Sequence, residues 1–444
     1  MTIQDKMLVI GAGPVGLATA KALAENNIPY DQVDADDDVG GNWYHGVYRT
    51  AHIISSRDTT QFADYPMPAH YPDFPSRQQM LDYLRDYADH FNLRGGIQFN
   101  RKVIYARPVE NNLWEVTFEG GESELYKGVL ACNGHHWDRR WPDTPGEFAG
   151  EYIHSKDYKE TDQLKDKRIL VIGGGNSACD VVAEAARVGA SADMSLRSGV
   201  WFFPKTLMGK PLVEFLKPWM PIWMQRVLLK GVLRLIVGDY RRYGLPLPDH
   251  KIWERHPTIS SEVLHYIKHG DITPRPGIAR FDGSFVEFTD GSRSEYDMVI
   301  AATGFHVSYP FLPKGMVPVK GLVPQVYGDC MVPEYRHLYL VGWSQPRYGF
   351  GPLVTPFSDL LAKLIKLQDE LDYPLGHVIR SSGQKIPDTH LVDPGKALQM
   401  LKKMPKRLWL LKLAAKRIKE PPIHNEPLDL PKEGIQGNEP LNVY

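Results

Sequence analysis

Two stretches of this sequence are built to hold phosphate. Residues 9–20 read VIGAGPVGLATA and residues 171–180 read VIGGGNSACD. In the first, Gly11 allows a tight turn, Gly13 lets backbone amides approach a pyrophosphate beside Pro14, and Gly16 lets the following helix pack on its strand. Gly173 and Gly175 repeat these tasks, Asn176 and Ser177 open a second helix, Ala178 fills the third slot, and Cys179 and Asp180 follow. Phosphate at such a turn meets free amides and the positive end of a helix dipole. One turn serves one nucleotide, so two imply two dinucleotides on one chain.

The residues beyond each turn refine this. Asp34 lies about twenty residues after the first turn, where an acid bonds ribose hydroxyls. After the second turn the corresponding strand end reads SLRSG, placing Arg197 and Ser198 there. An acid repels a 2′-phosphate and a guanidinium pairs with it, so NADPH is expected in preference to NADH. A solvated arginine at a strand end is the alternative.

These motifs need strand-turn-helix units to position them. MLVI (residues 7–10) and RILVI (168–172) read as the strands, each followed by a helix. The expected class is α/β: two Rossmann-like dinucleotide-binding domains, one discontinuous and the other inserted in it, plus a helical C-terminal extension. The expected segments are 1–161 and 300–371 for the first domain, 162–299 for the second, and 372–444 for the extension. A chain of 444 residues has room for this. Lys and Arg number 52 against 53 Asp and Glu, which offers no global field for nucleic acid. Cys132, Cys179 and Cys330 form no C-x-x-C pair, which disfavours a disulfide framework, a thiolate metal site and a redox dithiol, so no metal is expected. The N-terminus runs directly into the first motif without a leader, and a cytoplasmic location is expected. Residues 219–237 are apolar but carry Gln225, Arg226, Lys230 and Arg234, so they read as a partly buried helix near a site entrance and not as a membrane span.

Further stretches carry a resemblance. DVGGNW (38–43) resembles the FAD domains of flavoprotein oxygenases, which implies FAD in the first turn with Asn42 and Trp43 among its neighbours. Phe148, Gly150, His154 and Tyr158 follow the F-x-G-x-x-x-H-x-x-x-(F/Y) pattern of flavin-containing monooxygenases. YPMPAHYPDFP (65–75), GGGNSACD, ERHPTISSEV (254–263), MVIAATGFHVSYPFL (298–312) and LYLVGWSQP (338–346) resemble family segments in the same order, so the likeness spans about residues 7–366. The resemblance implies that NADPH reduces FAD, dioxygen forms a C4a-(hydro)peroxyflavin, and a small substrate with a nucleophilic N or S takes one oxygen. His154 is then an orienting residue between domains, Thr303 and Gly304 belong to the crossing strand, and Gln345 is an amide near the nicotinamide.

The pattern departs in one place. Where the family carries an Asn touching flavin and NADP+, counting back from Tyr65 places Ile54, which has no polar group. Either Ser55 or His52 assumes its task, or the oxygen adduct is weaker, or the substrate differs. NADPH oxidase or flavin reductase activity therefore stays open. Tyr158-Lys159 leans away from the Trp-Pro or Trp-Asp ending of Baeyer-Villiger relatives, leaving ketone oxidation as an alternative. From Lys396 to Lys419 the extension has nine basic residues and no acid, interrupted by Pro405. Its apolar residues either pack on the body or lie on an anionic membrane. The segment 421–444 reads as an extended arm that wraps its own domain or a neighbouring subunit, so a homodimer stays open.

Overall fold

A computed structural model describes residues 5–429 of the protein. The first sheet runs, in spatial order, Leu338–Leu340, Gly128–Ala131, Met7–Ile10, Tyr30–Val33 and Ile97–Gln98. All neighbouring pairs are parallel. Met7–Ile10 and Gly128–Ala131 are buried at every residue, as strands covered on both faces must be. Alternate side chains go to opposite sides. Met7 and Val9 share a cluster with Leu361 and Ile365 of helix Gly351–Asp369, which packs beside helix Pro14–Glu25. Leu8 and Ile10 meet Trp114, Val116 and Phe118 of an antiparallel meander, Val103–Pro108, Trp114–Phe118 and Ser123–Tyr126.

The second sheet repeats this plan. Its order is Thr273–Arg275, Ser191–Ser195, Arg168–Ile172, Met298–Ala301 and Glu151–His154, again all parallel. Ile169 and Val171 pack with Ala178, Val182 and Ala185 of helix Asn176–Val188. Leu170 packs with Phe281, Val286 and Phe288 of a second meander, Ile278–Asp282, Phe285–Phe288 and Arg293–Glu295. In both sheets the strand that leads into a glycine turn is the central one of five. The α/β class with parallel sheets agrees with the sequence. The chain enters the second sheet at Glu151–His154 and leaves it at Met298–Ala301, and these two strands are paired, Ala301 opposite His154.

The C-terminal part is helical: Leu375–Ser381, Pro394–Lys403 and Leu408–Ala415, the last two separated by a tight turn at Met404–Arg407 that contains Pro405. It is tied to the body by parallel pairing of Leu391–Val392 with Gln345–Pro346. Asn425 is buried and accepts a bond from Arg336 N at 2.7 Å, so the start of the expected arm lies on its own chain. The remainder of that arm lies outside the described residues. No described helix is long and apolar enough to cross a membrane.

Candidate active site

The first turn has the sterics its glycines imply. Gly11 has φ +111°, and a Cβ there would stand 2.5 Å from the Cys132 carbonyl oxygen. A Cβ on Gly16 would stand 2.1 Å from the Gly11 oxygen, so helix and strand could not approach as they do. Helix Pro14–Glu25 begins with Pro14 at its first position, no acid in its first turn and no side chain capping its amides. The Gly40-Gly41 backbone lies against Gly13, a Gly13 Cβ falling 3.7 Å from the Gly41 Cα. Asn42 and half-buried Trp43 follow in a short helical turn. Asp34, one residue past Tyr30–Val33, accepts bonds from Ala12 N at 2.5 Å and Asp36 N at 2.9 Å, and burial raises its pKa.

The second turn is similar in shape and differs in its partners. Gly173 has φ +128°, and its Cβ would meet the Ala302 oxygen at 2.4 Å. Gly175 has open space around it, and the helix it starts again lacks a side-chain cap and a first-turn acid. Asn176 ties down the loop that follows the insertion: its Nδ2 donates to Pro257 O at 3.1 Å and its Oδ1 accepts from Ile259 N at 2.7 Å. Arg197 is exposed two residues past Ser191–Ser195. Arg255 reaches Ser198 Oγ at 3.4 Å, bringing a second guanidinium that the sequence did not single out. Arg140 is close enough for Arg197 to lower its pKa, after the larger effect of burial.

Segments that follow the strands of the two sheets touch one another. Lys156, just past Glu151–His154, donates to Asn42 Oδ1 at 2.8 Å and His136 O at 3.3 Å, joining the second sheet to loops of the first. Burial pushes the Lys156 ammonium down to about 8. His154 is buried; its Nε2 donates to Gly304 O at 3.1 Å while Nδ1 accepts from Lys156 N at 3.1 Å. Thr303 exchanges bonds with Arg140, donating through Oγ1 and accepting at its carbonyl. His154 thus joins its own strand end to the segment that follows Met298–Ala301.

Gln345 lies on the loop after Leu338–Leu340, with its Nε2 2.7 Å from both His135 Nε2 and His136 Nε2. His135 Nδ1 faces the Gly342 carbonyl at 3.0 Å and must carry the proton, so His135 Nε2 accepts. The nitrogen shared by two imidazoles is therefore the Gln345 amide donor, and its carbonyl oxygen is left available. Burial holds His135 down to about 4 and lowers His136 in the same sense. His256 of the second unit and His390 of the C-terminal part also bear on His135 electrostatically. Periodicity marks none of these four. The HH pair beside a strand end was the available signal.

The segment around Ile54 meets different partners. Ile54 is half-buried against the cluster containing Tyr48, Tyr158 and Tyr348. Ser55 Oγ bonds Thr60 Oγ1 at 2.6 Å, and His52 Nε2 lies 2.5 Å from Lys205 Nζ. Neither bonds Gln345 among the described residues. This segment instead docks on helix Asn176–Val188: Tyr48 OH donates to Asp180 at 2.7 Å, and the hydroxyls of Thr50 and Tyr158 both donate to buried Glu184. Ser177 also bonds the Tyr48 hydroxyl. A cavity of about 290 Å³ beside this contact is lined by His52, Asp180, Glu184, Lys205 and Glu262 among others, and by no residue of either glycine turn.

Two helix N-termini without side-chain caps, each over a glycine turn and one near the strand that leads to exposed Arg197, are the features of this chain suited to phosphate. The chain matches the model of the flavin-binding monooxygenase-like family over residues 4–345 and belongs to that family. Its class is that of the flavin-dependent monooxygenases. The probable indole-3-pyruvate monooxygenase YUCCA9 of Arabidopsis thaliana is 33% identical over 319 residues, covering 68% of this chain and 75% of that protein. Flavin-containing monooxygenase 5 of Oryctolagus cuniculus is 32% identical over 390 residues, covering 81% and 72%. Among solved structures, cyclohexanone monooxygenase from Rhodococcus sp. Phi1 bound to NADP+ superposes with TM-score 0.72 at 16% identity, over 91% of this chain and 98% of that one. That likeness shows the fold.

Proposed function

We propose that the protein is an NADPH- and oxygen-dependent FAD monooxygenase acting on a small nucleophilic N- or S-containing substrate. In this reading residues 1–161 and 300–371 form the FAD domain and residues 162–299 the NADPH domain. The observation that carries it is the duplication of a glycine turn at the carboxyl end of the central strand of each parallel sheet. Gly11, Gly13, Pro14 and Gly16 cradle the FAD pyrophosphate, Asp34 turns to the ribose, and Asn42 and Trp43 lie along the cofactor. Gly173, Gly175, Asn176, Ser177 and Ala178 form the NADPH turn, with Arg197 and Arg255 toward the 2′-phosphate. Asp180 instead secures the contact with Tyr48.

When bound, the two cofactors supply hydride transfer and oxygen activation. The chain's own work is to bind, orient and keep water out. His135 and His136 fix the amide face of Gln345, so its carbonyl oxygen is presented in one orientation to a carboxamide donor. Lys156, bridging Asn42 and the His136 carbonyl, and the hydrogen bonds of His154 hold the two sheets at a set separation. Ile54 contributes shape and dryness, with no hydrogen bond.

The test is to assay purified, flavin-loaded protein with NADPH, oxygen and matched sulfide, amine and ketone probes. One oxygenated sulfide or amine per NADPH is expected. Stoichiometric peroxide with every probe sinks the oxygenase reading, and an ester formed from the ketone alone sinks the substrate class.

A further inference from the structure

Two separate segments are free of acids and rich in bases. Residues 217–238 carry Lys217, Arg226, Lys230 and Arg234, and residues 396–419 carry nine Lys and Arg, with no Asp or Glu in either. Of the chain's 52 Lys and Arg, these thirteen leave 39 against all 53 Asp and Glu, so the near-neutral total conceals a strongly polarised molecule. Both segments also turn large apolar side chains outward. Trp219, Trp223 and Leu235 are 72%, 65% and 88% exposed on or beside helix Ile222–Ile236, whose other side buries Leu229 and Leu233. Trp409, Leu410 and Leu413 are 56%, 43% and 43% exposed on helix Leu408–Ala415, whose other side buries Leu411 and Ala415. The expected packing of these apolar groups on the body is thus only half realised. The segments meet where helix Pro394–Lys403 begins: a Cβ on Gly395 would lie 2.0 Å from the Pro218 oxygen.

We propose that the two segments together form a docking surface for an anionic lipid bilayer. Tryptophan and leucine flanked by lysine and arginine suit the boundary of headgroups and acyl chains, and the helices are of the kind that lie in that plane. Each base near an anionic surface adds attraction. All but two of the bases lack an acid partner among the described residues; Arg226 reaches Glu254 and Lys412 reaches Glu370. A second copy docking through this face would set like charge against like. The aliphatic groups favour lipid over stacked bases.

The experiment uses the full-length, flavin-loaded protein in flotation with vesicles of phosphatidylcholine alone or of an equimolar mixture with phosphatidylglycerol. Flotation is expected with the anionic vesicles only and is lost near 1 M salt, where screening shortens to about 3 Å. Lys402→Gln, Lys406→Gln and Arg407→Gln each weaken it by about fivefold. Trp223→Ser and Trp409→Ser each weaken it with flavin content and NADPH turnover unchanged. No flotation, equal flotation with both lipids, or dependence on one segment alone overturns the proposal, as does self-association that hides both tryptophans and abolishes vesicle binding.

Discussion

Arg197 and Arg255 show how much one guanidinium position decides. Both approach the end of Ser191–Ser195 from different segments, and Arg255 is held near by its contact with Ser198. Losing a charge-assisted bond of about 1.5–3 kcal/mol predicts that Arg197→Ala raises the KM for NADPH by about 10- to 100-fold with little change for NADH, read by steady-state kinetics with both. Equal changes refute the 2′-phosphate role. His135 gives a pH prediction. Its pKa is about 4 when folded against 6.5 for the free group, so the unfolded chain takes the proton first as pH falls. The stability present above pH 6.5 is lost progressively toward pH 4, and His135→Gln should make the urea midpoint less dependent on pH across that window. At Ile54 the expectation is directional: Ile54→Asn should raise product formed per NADPH and lower peroxide, and an unchanged ratio means the position does not touch the cofactors. The glycines were legible in the sequence because their constraint is local. The Gln345–His135 contact was not, since its partners are 210 residues apart.

At the scale of elements, helix Asn176–Val188 does two jobs. Its first turn opens at a glycine cradle, while Asp180 and Glu184 on a later face take hydroxyls from Tyr48, Thr50 and Tyr158. Glu184 is 6% exposed, so removing its carboxylate strands two buried hydroxyls. Glu184→Ala is therefore expected to cost about 2–4 kcal/mol in chemical denaturation, with Tyr158→Phe nearer 1–2 kcal/mol. A loss below 0.5 kcal/mol for Glu184→Ala means that this contact does not hold the segments together. Strand and helix limits at both turns were readable from apolar runs bounded by glycine. Helix Ile222–Ile236 was recognised as an apolar run broken by polar residues, but its exposed side was not, because such a run does not report which face finds a neighbour.

For the whole molecule, the repeated strand, glycine turn and helix was legible through its paired motifs, and the antiparallel meander on the other face of each sheet was not, since no motif marks it. The way the two units and the C-terminal part touch was not, because it rests on single contacts such as Lys156 with Asn42 and Gln345 N with His390 O. Lys156 provides a test at this scale. Lys156→Met removes the bridge while keeping side-chain bulk, and it should slow flavin reduction by saturating NADPH more than it weakens NADP+ binding measured by titration. A change in binding alone would assign Lys156 to the nucleotide and not to the spacing of the sheets.

The parallel pairing of Gln345–Pro346 with Leu391–Val392 reaches further than its length suggests. The family match ends at residue 345, yet the backbone amide of that residue is held by His390. Excising the shared portion as a minimal module, or transplanting a foreign tail onto it, would leave the last matched residue without its anchor. A protein trimmed after residue 371 should take up flavin and still oxidise NADPH wastefully, with peroxide as its main output.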